Sequence, residues 1–318
     1  MDSIIFRQYK PGDEQQLVSL WNEVLTKDPI TSKRFRNLVL LDANFDPEGM
    51  KLAFEGDKLI GCVYAIRRLL PMVSTELETD NGWIPFFFVA SEYRQREVGS
   101  QLLKQASQFL REQGRKKVFF ASYAPNYIVP GIDAANYPAG AEFLRKNGFM
   151  IQYSAVAMDK SLVDYELLED IKVLKQQRIE EGYTFEQAKD ADLVELIRFS
   201  TQVFNADWGR AIRERLLQGL AMEQILIARA NGELIGFCLY GGYEGIRERF
   251  GPFGVHPSQQ GKGIGKILLH DCLKNMRSHA LHNAWFLWTG ETSSAGHLYK
   301  KAGFEITRRF DIMFKNLF

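Results

Sequence analysis

The residues Gln260-Gly261-Lys262-Gly263-Ile264-Gly265, with Lys266 after them, carry the clearest chemistry in the chain. They follow an apolar run that reads as a strand and open a segment with helical periodicity. The first N–H groups of a helix lack intrahelical partners and carry partial positive charge. Glycines there let a backbone come close to an anion without Cβ interference. The stretch therefore suits a phosphate or pyrophosphate, and Lys262 and Lys266 add charge nearby. Two other phosphate loops do not fit. A P-loop needs Ser or Thr after Gly-Lys, and here Ile267 follows Lys266. The spacing of Gly261, Gly263 and Gly265 does not supply GxGxxG. A plain strand-to-helix connector needs one or two glycines. Three alternating ones are costly, at about 1 kcal/mol each relative to alanine inside a helix.

The elements that must hold this stretch occur twice. LAFEGDKLIGCVYA near residue 55 and LIARANGELIGFCLYG near 230 are each an apolar run, a tight turn and a second apolar run. Asn231-Gly232 is a strong hairpin signal, and the shared LIG sets Gly61 against Gly236. VASEYRQREVGSQLL from Val89 matches VHPSQQGKGIGKILL from Val255. FLRKNGF from Phe143 matches LYKKAGF from Leu298. FRQYKPGDEQQLVSLW resembles YTFEQAKDADLVELI from Tyr183. Such repetition predicts two copies of one unit, each running strand, helices, hairpin, long strand, helix, strand, helix, strand. In the second copy the expected elements are a strand near 183–188, helices near 190–203 and 207–220 and a hairpin at 224–241. A strand near 246–255, a helix from about 261 to 278 and a strand at 284–288 buried on both faces follow. The last are a short helix stopped by Gly303 and a final strand. The charged segment 164–182, with Leu167, Ile171 and Leu174 at helical spacing, reads as a solvated helical linker. The expected division is 1–160, a linker at 161–182, and 183–318.

At this point the chain resembles the GNAT family of acyl-CoA-dependent N-acyltransferases. The phrase VHPSQQGKGIGKILL is similar to that family's strand-four-to-helix signature, and LYKKAGF to its second signature. The resemblance covers nearly the whole chain, twice, apart from the linker. It implies a mixed α/β (α+β) fold class, with two tandem copies of a splayed sheet flanked by helices. It implies acetyl-CoA as acyl donor, with no metal. Pantetheine would pair with strand four, with Phe253 and Val255 as backbone partners and the Val255 N–H near the thioester carbonyl. The pyrophosphate would rest on Gln260, Gly261, Lys262, Gly263, Ile264 and Gly265, near Lys266. Thr292 stands where relatives often carry a cofactor-contacting asparagine. Tyr299 occupies the position of the acid that protonates the leaving thiolate. Glu248 is the best-placed carboxylate on strand four for the base, one residue off the register of some relatives; Glu244 and Glu291 are weaker candidates.

The first copy departs from this pattern. Arg94-Gln95-Arg96-Glu97-Val98-Gly99 aligns with Gln260 to Gly265, so Glu97 replaces Gly263, and Leu144 replaces Tyr299. A carboxylate there repels a pyrophosphate. Weak binding through Val89, Arg94, Arg96, Val98, Gly99 and Ser100 stays open, as does a purely scaffolding role. The segment 125–138 has no counterpart in the second copy and suits an ordered loop, either walling an acceptor pocket or covering core.

The composition agrees with a globular chain of about two domains by length. Of its 318 residues 46% are hydrophobic and 25% charged, with 40 Lys+Arg against 39 Asp+Glu. A formal charge of +1 gives no global pull toward nucleic acid or an acidic membrane. Cys62, Cys238 and Cys272 are too few for a disulfide framework and fit a reducing, cytoplasmic setting. Neither a signal peptide nor a membrane span is expected. The histidines, His256, His270, His279, His282 and His297, lack metal-ligand spacing. His270 is expected on a helix surface, His256 in a turn and Cys272 in the core. The function expected is N-acetylation of a small-molecule or peptide amine by direct attack, in a monomer or homodimer. The alternatives are a CoA-binding sensor or scaffold without turnover, or an acyltransferase acting on a thiol-cofactor precursor or a cell-wall peptide.

Overall fold

The computed structural model describes residues 3–318. The first half runs β1 (Ile4–Gln8), α1 (Glu14–Val24), α2 (Ser32–Phe35), β2 (Met50–Glu55), β3 (Lys58–Ile66), β4 (Asn81–Val89), α3 (Val98–Glu112), β5 (Lys117–Phe120), α4 (Pro138–Lys146) and β6 (Met150–Ser161). After α5 (Glu169–Glu180) the order returns: β7 (Tyr183–Gln187), α6 (Leu193–Phe199), α7 (Ala206–Leu217), β8 (Ile225–Ala230), β9 (Glu233–Tyr240), β10 (Phe250–Val255), α8 (Ile264–Ser278), β11 (Asn283–Thr289), α9 (Ser294–Lys301) and β12 (Glu305–Asn316). The β8–β9 turn uses Asn231 and Gly232 at φ 52° and 81°, as a two-residue hairpin of right-handed twist requires.

Two compact units form, and they do not follow chain order. The first comprises residues up to Pro71, Glu76–Ala155 and Arg309–Phe318; the second comprises Met72–Thr75 and Val156–Arg308. In the first unit the strand neighbours run β1-β2-β3-β4-β5-β12. β4 and β5 are parallel, and β12 closes onto β5 antiparallel, Met313 opposite Phe120 and Asn316 opposite Lys117. In the second unit β7, β8, β9 and β10 form an antiparallel sheet, and β11 pairs instead with β6, from Asn283 opposite Ser161 to Thr289 opposite Val156. The reason lies in burial along these 12-residue strands. Residues 150–154 and 305–309 are mostly exposed, while Val156, Met158, Phe310, Ile312 and Met313 are buried. Val156 and Met158 enter the second unit's core, and Met313 and Leu317 the first's.

Alternation along the strands builds two layers of core in the second unit. Leu226 and Ala228 face α8, while Ile225 and Ile227 face α6 and α7, the period-two rule of a strand. The repeat holds atom by atom. A Cβ on Gly61 would meet Leu102 Cδ1 at 3.0 Å and Val89 Cγ2 at 3.3 Å; on Gly236 it would meet Leu268 Cδ1 at 3.0 Å and Val255 Cγ2 at 3.2 Å. Each hairpin strand thus needs a glycine where the next helix lies on it.

Four expectations are corrected. The strand expected near 246–255 begins only at Phe250, because Gly241, Glu244 and Gly245 take positive φ and turn the chain. The strand at 284–288 is buried on one face: Ala284 and Phe286 are buried, Trp285 and Leu287 half-buried. The linker helix is docked, with Ile171 fully buried. His270 is buried at 3% exposure, its Nδ1 bonded by the Tyr165 hydroxyl at 2.9 Å. Burial lowers its pKa, which keeps the imidazole neutral. The loop 125–138 is ordered and covers core, with Ile128 and Ile132 buried and Ile132 bridged to Asp311. Among the described residues no helix is long and apolar enough to cross a membrane.

Met313→Ala tests the ownership of β12. It should cost about 2–5 kcal/mol, the range for truncating a fully buried methionine. In hydrogen exchange the lost protection should fall on Lys117–Phe120 before any strand of the second unit. Loss confined to the second unit would refute the assignment of this strand.

Candidate active site

β10 and β11 meet at one point and then part. Trp285 N–H donates to the Glu248 carbonyl at 3.0 Å, and Arg249 bridges Trp285 in parallel register; beyond that bridge β10 pairs only with β9. The antiparallel ladder decides which β10 groups are left over. His256 N–H donates to the Ile235 carbonyl at 2.8 Å, so the pair 256/235 is hydrogen-bonded. Hydrogen-bonded and non-bonded pairs alternate. Phe253 opposite Cys238 and Val255 opposite Gly236 are therefore non-bonded pairs, and their N–H groups face the open side. The first unit repeats this. β4 and β5 pair only from Asn81 to Ile84, and Ala90 N–H donates to the Ile60 carbonyl, which leaves the groups of Phe87 and Val89 facing outward.

The glycine loop follows β10. Gly261 and Gly263 both lie in the left-handed region, at φ 80° and 77°, and Gly263 is the N-cap of α8. Left-handed residues alternating with ordinary ones curl successive N–H groups into a concave anion-binding nest. A Cβ on Gly261 would meet nothing within 4 Å, so the loop is open there. A Cβ on Gly265 would meet Phe253, Val255 and Leu298 at 3.5–3.6 Å, so nest, strand and α9 come together there. An unpaired strand edge running into a nest fits an amide-bearing chain that ends in phosphates.

Tyr299, on α9, is walled by Phe250, Phe253, Phe286 and Phe304, with ring centroids 4.4–6.1 Å away. The residue is buried, at 6% exposure. Burial pushes the phenol well above its usual pKa, because removing water disfavours the phenolate. Glu248 is placed elsewhere. It lies in the turn before β10 rather than on the strand, half-buried, at the closed end where β10 meets β11. Glu244 is bound to the buried Arg249 at 2.9 Å, and Glu291 to Lys300 at 3.2 Å. Thr292 is exposed in the turn before α9, which Ser293 caps.

Both lysines of the loop have protein partners. Lys262 Nζ reaches Gln259 Oε1 at 2.9 Å and the Tyr183 hydroxyl at 3.1 Å, and Lys266 Nζ pairs with Asp170 of α5 at 2.8 Å. Spacing could not show the contacts to Tyr183 and Asp170, which come from segments 79 and 96 residues away; only Gln259 is a sequence neighbour. α5 also sets Leu174 2.8 Å from where a Gly263 Cβ would stand. That glycine is thus required by backbone conformation and by packing.

The first unit keeps the loop's backbone with different side chains. Gln95 and Glu97 stand left-handed at φ 62° and 61°, matching Gly261 and Gly263. Glu97 is the N-cap of α3 and is exposed, while Val98 is buried. Gly99 packs on Phe87 and Phe143 as Gly265 does on Phe253 and Leu298. Arg94 Nε folds back onto the Val89 carbonyl at 3.3 Å, which takes up one acceptor of that edge. Arg96 lies over the Tyr93 ring, Ser100 is exposed, and Leu144 is buried where Tyr299 stands in the other copy.

Comparison with known proteins matches both halves. Residues 221–306 match a family model described as an acetyltransferase (GNAT) domain, and residues 15–129 match one described as the acetyltransferase (GNAT) family. No curated protein sequence matches. Among solved structures, the glucosamine N-acetyltransferase region of a fungal multi-domain GH3 β-N-acetylglucosaminidase superposes with TM-score 0.80 at 18% identity. It covers 99% of this chain, which spans 38% of that protein. A GCN5-related N-acetyltransferase from Sphaerobacter thermophilus superposes with TM-score 0.71 at 14% identity, covering 99% and 96%. A tandem GNAT protein of the clavulanic acid pathway gives 0.65 at 16%, covering 99% of each chain.

The matched loops make a paired prediction. Gly263→Ala should destabilise the chain by about 1–3 kcal/mol, the strain of a left-handed side chain. Leu174→Ala should relieve the part due to contact. Glu97→Gly should stabilise the first unit by up to about 1 kcal/mol, less the added chain entropy. Urea unfolding measures all three, and no change in any would mean that neither loop is conformationally strained.

Proposed function

Because the chain is a tandem member of the GNAT family of N-acetyltransferases, we propose that its second unit transfers an acetyl group from acetyl-CoA to an amine. The observation that carries this reading is the unpaired edge of β10 running into the left-handed loop at α8. Phe253 and Val255 offer N–H groups to an extended pantetheine, a form of strand addition. The nest from Gln260 to Gly265 offers N–H groups to the pyrophosphate. The bound donor supplies a thioester carbonyl.

The Val255 N–H is the group set to polarise that carbonyl, where negative charge grows as nitrogen attacks. The C–N bond forms as the C–S bond breaks. The amine loses a proton to solvent or a base, and the thiolate gains one. Tyr299 is the donor to the thiolate: its ring packs against Phe253 of β10, and burial keeps its hydroxyl protonated. Glu248, at the closed end of the cleft, is poorly placed as a direct base, and a water relay suits its position better. In the first unit Glu97 sets a carboxylate at the loop and Leu144 lacks a proton to give, which supports a scaffolding role there.

The acceptor is a small-molecule or peptide amine. Glucosamine is the first to try, since one structural neighbour is a glucosamine N-acetyltransferase region. Thiol release from acetyl-CoA across a panel of amines tests the reading; binding without turnover would make the chain a sensor.

Tyr299→Phe should lower the single-turnover rate by ~10²–10⁴, the usual contribution of general acid–base catalysis, with little change in KM for acetyl-CoA. A raised phenol pKa keeps the donor form complete below pH 10 and carries it higher. No alkaline fall in rate below about pH 10 should therefore come from this group. Equal single-turnover rates for wild type and variant would reduce Tyr299 to a packing residue.

A further inference from the structure

We propose that Arg178, on the linker helix α5, is a positioning residue for the pyrophosphate nest of the second unit. The proposal rests on the reading of that nest given under Proposed function. Arg178 Nε donates to the Lys262 carbonyl at 2.7 Å. Its Nη1 donates to both carboxylate oxygens of Glu181, at 2.5 and 2.6 Å, so the guanidinium is held from behind.

Lys262 sits between the two left-handed glycines, and the 262–263 peptide is not among the cis bonds of the chain. In a trans peptide the carbonyl of one residue and the N–H of the next point in opposite directions. With the Lys262 carbonyl directed at Arg178, the Gly263 N–H is turned away from α5, toward the mouth of the nest. A flip of this peptide turns ψ of Lys262 and φ of Gly263, and on the glycine side it meets little steric resistance. A flip would replace that N–H with a carbonyl oxygen, which repels phosphate. Arg178 makes the flip unfavourable by giving the carbonyl a charged donor.

Two further contacts seat the same helix on the loop. Leu174 lies where a Gly263 side chain would be, and Asp170 pairs with Lys266 at 2.8 Å. In the first unit the matching residue, Glu97, is exposed. Its backbone is left-handed at φ 61° without such a cover. The linker is thus part of the donor site, although the matched family segment begins only at residue 221.

The test uses the full chain and two ligands, CoA and pantetheine, which lacks the pyrophosphate. Calorimetry should show wild type binding CoA more tightly than pantetheine. Arg178→Ala should raise the Kd for CoA about tenfold, the scale of one lost charged hydrogen bond, and leave pantetheine unchanged. Arg178→Lys, which keeps a cationic donor, should recover most of the loss. With acetyl-CoA as substrate the alanine variant should raise KM and spare kcat. An unchanged CoA-to-pantetheine ratio in Arg178→Ala, or equal weakening of both ligands, would overturn the proposal. A wild type that binds both ligands equally would instead overturn the nest reading, and this inference with it.

Discussion

The bond from Trp285 N–H to the Glu248 carbonyl is where β10 and β11 last touch. A strand inside a sheet normally satisfies its backbone on both sides. Past Trp285, β10 satisfies one side only, and the N–H groups of Phe253 and Val255 face a gap. Unpaired strand edges are usually covered or blunted. Here the edge is left open in the second unit, while in the first Arg94 covers the Val89 carbonyl. An edge of this kind suits an extended, amide-bearing partner. The nest, the aromatic wall around Tyr299 and the α9 helix all take their positions from it.

The two units show how one backbone solution survives different side chains. The loop before α3 and the loop before α8 place left-handed residues at the same two steps. The second unit meets that demand with Gly261 and Gly263, where positive φ carries no penalty. The first meets it with Gln95 and Glu97 and bears strain of about 1–2 kcal/mol each. Retention of the strained conformation shows that the turn is dictated by the need to enter the helix on top of the strand. Gly61 and Gly236 tell the same story in the hairpins, each making room for a leucine of the following helix. What differs between copies is the chemistry laid on the turn: an open loop and a tyrosine in one, a carboxylate and a leucine in the other.

The linker changes character when it folds. Its sequence is dominated by charge, and among its apolar residues Leu167, Ile171 and Leu174 fall at helical spacing. Three apolar residues at helical spacing suffice to dock one face. The charged residues then find partners on α8 and its loop: Asp170 with Lys266, Lys175 with Asp271, and Arg178 with the Lys262 carbonyl. Exposed ion pairs contribute little stability individually. Their consequence is orientation, since each fixes where a loop atom points.

Much was legible from residue order alone. Period-two and period-3.6 patterns, the Asn231-Gly232 turn, the stop at Gly303 and the alternating glycines are local signals, and local backbone preference decides them. The repeat, the order of elements and the glycine nest could therefore be read directly. The tertiary structure decided what depends on contacts between distant segments. It placed β12 with β5 and β6 with β11, because both strands are apolar enough to suit either unit and only packing selects the partner. It put His270 in the interior, through Tyr165 arriving from another element. It moved Glu248 off the strand, through a turn set by Gly241, Glu244 and Gly245. It occupied Lys262 and Lys266 with Gln259, Tyr183 and Asp170. Charge and spacing name the groups able to meet an anion; which of them already hold a partner is a property of the folded chain, since those partners lie 3 to 96 residues away.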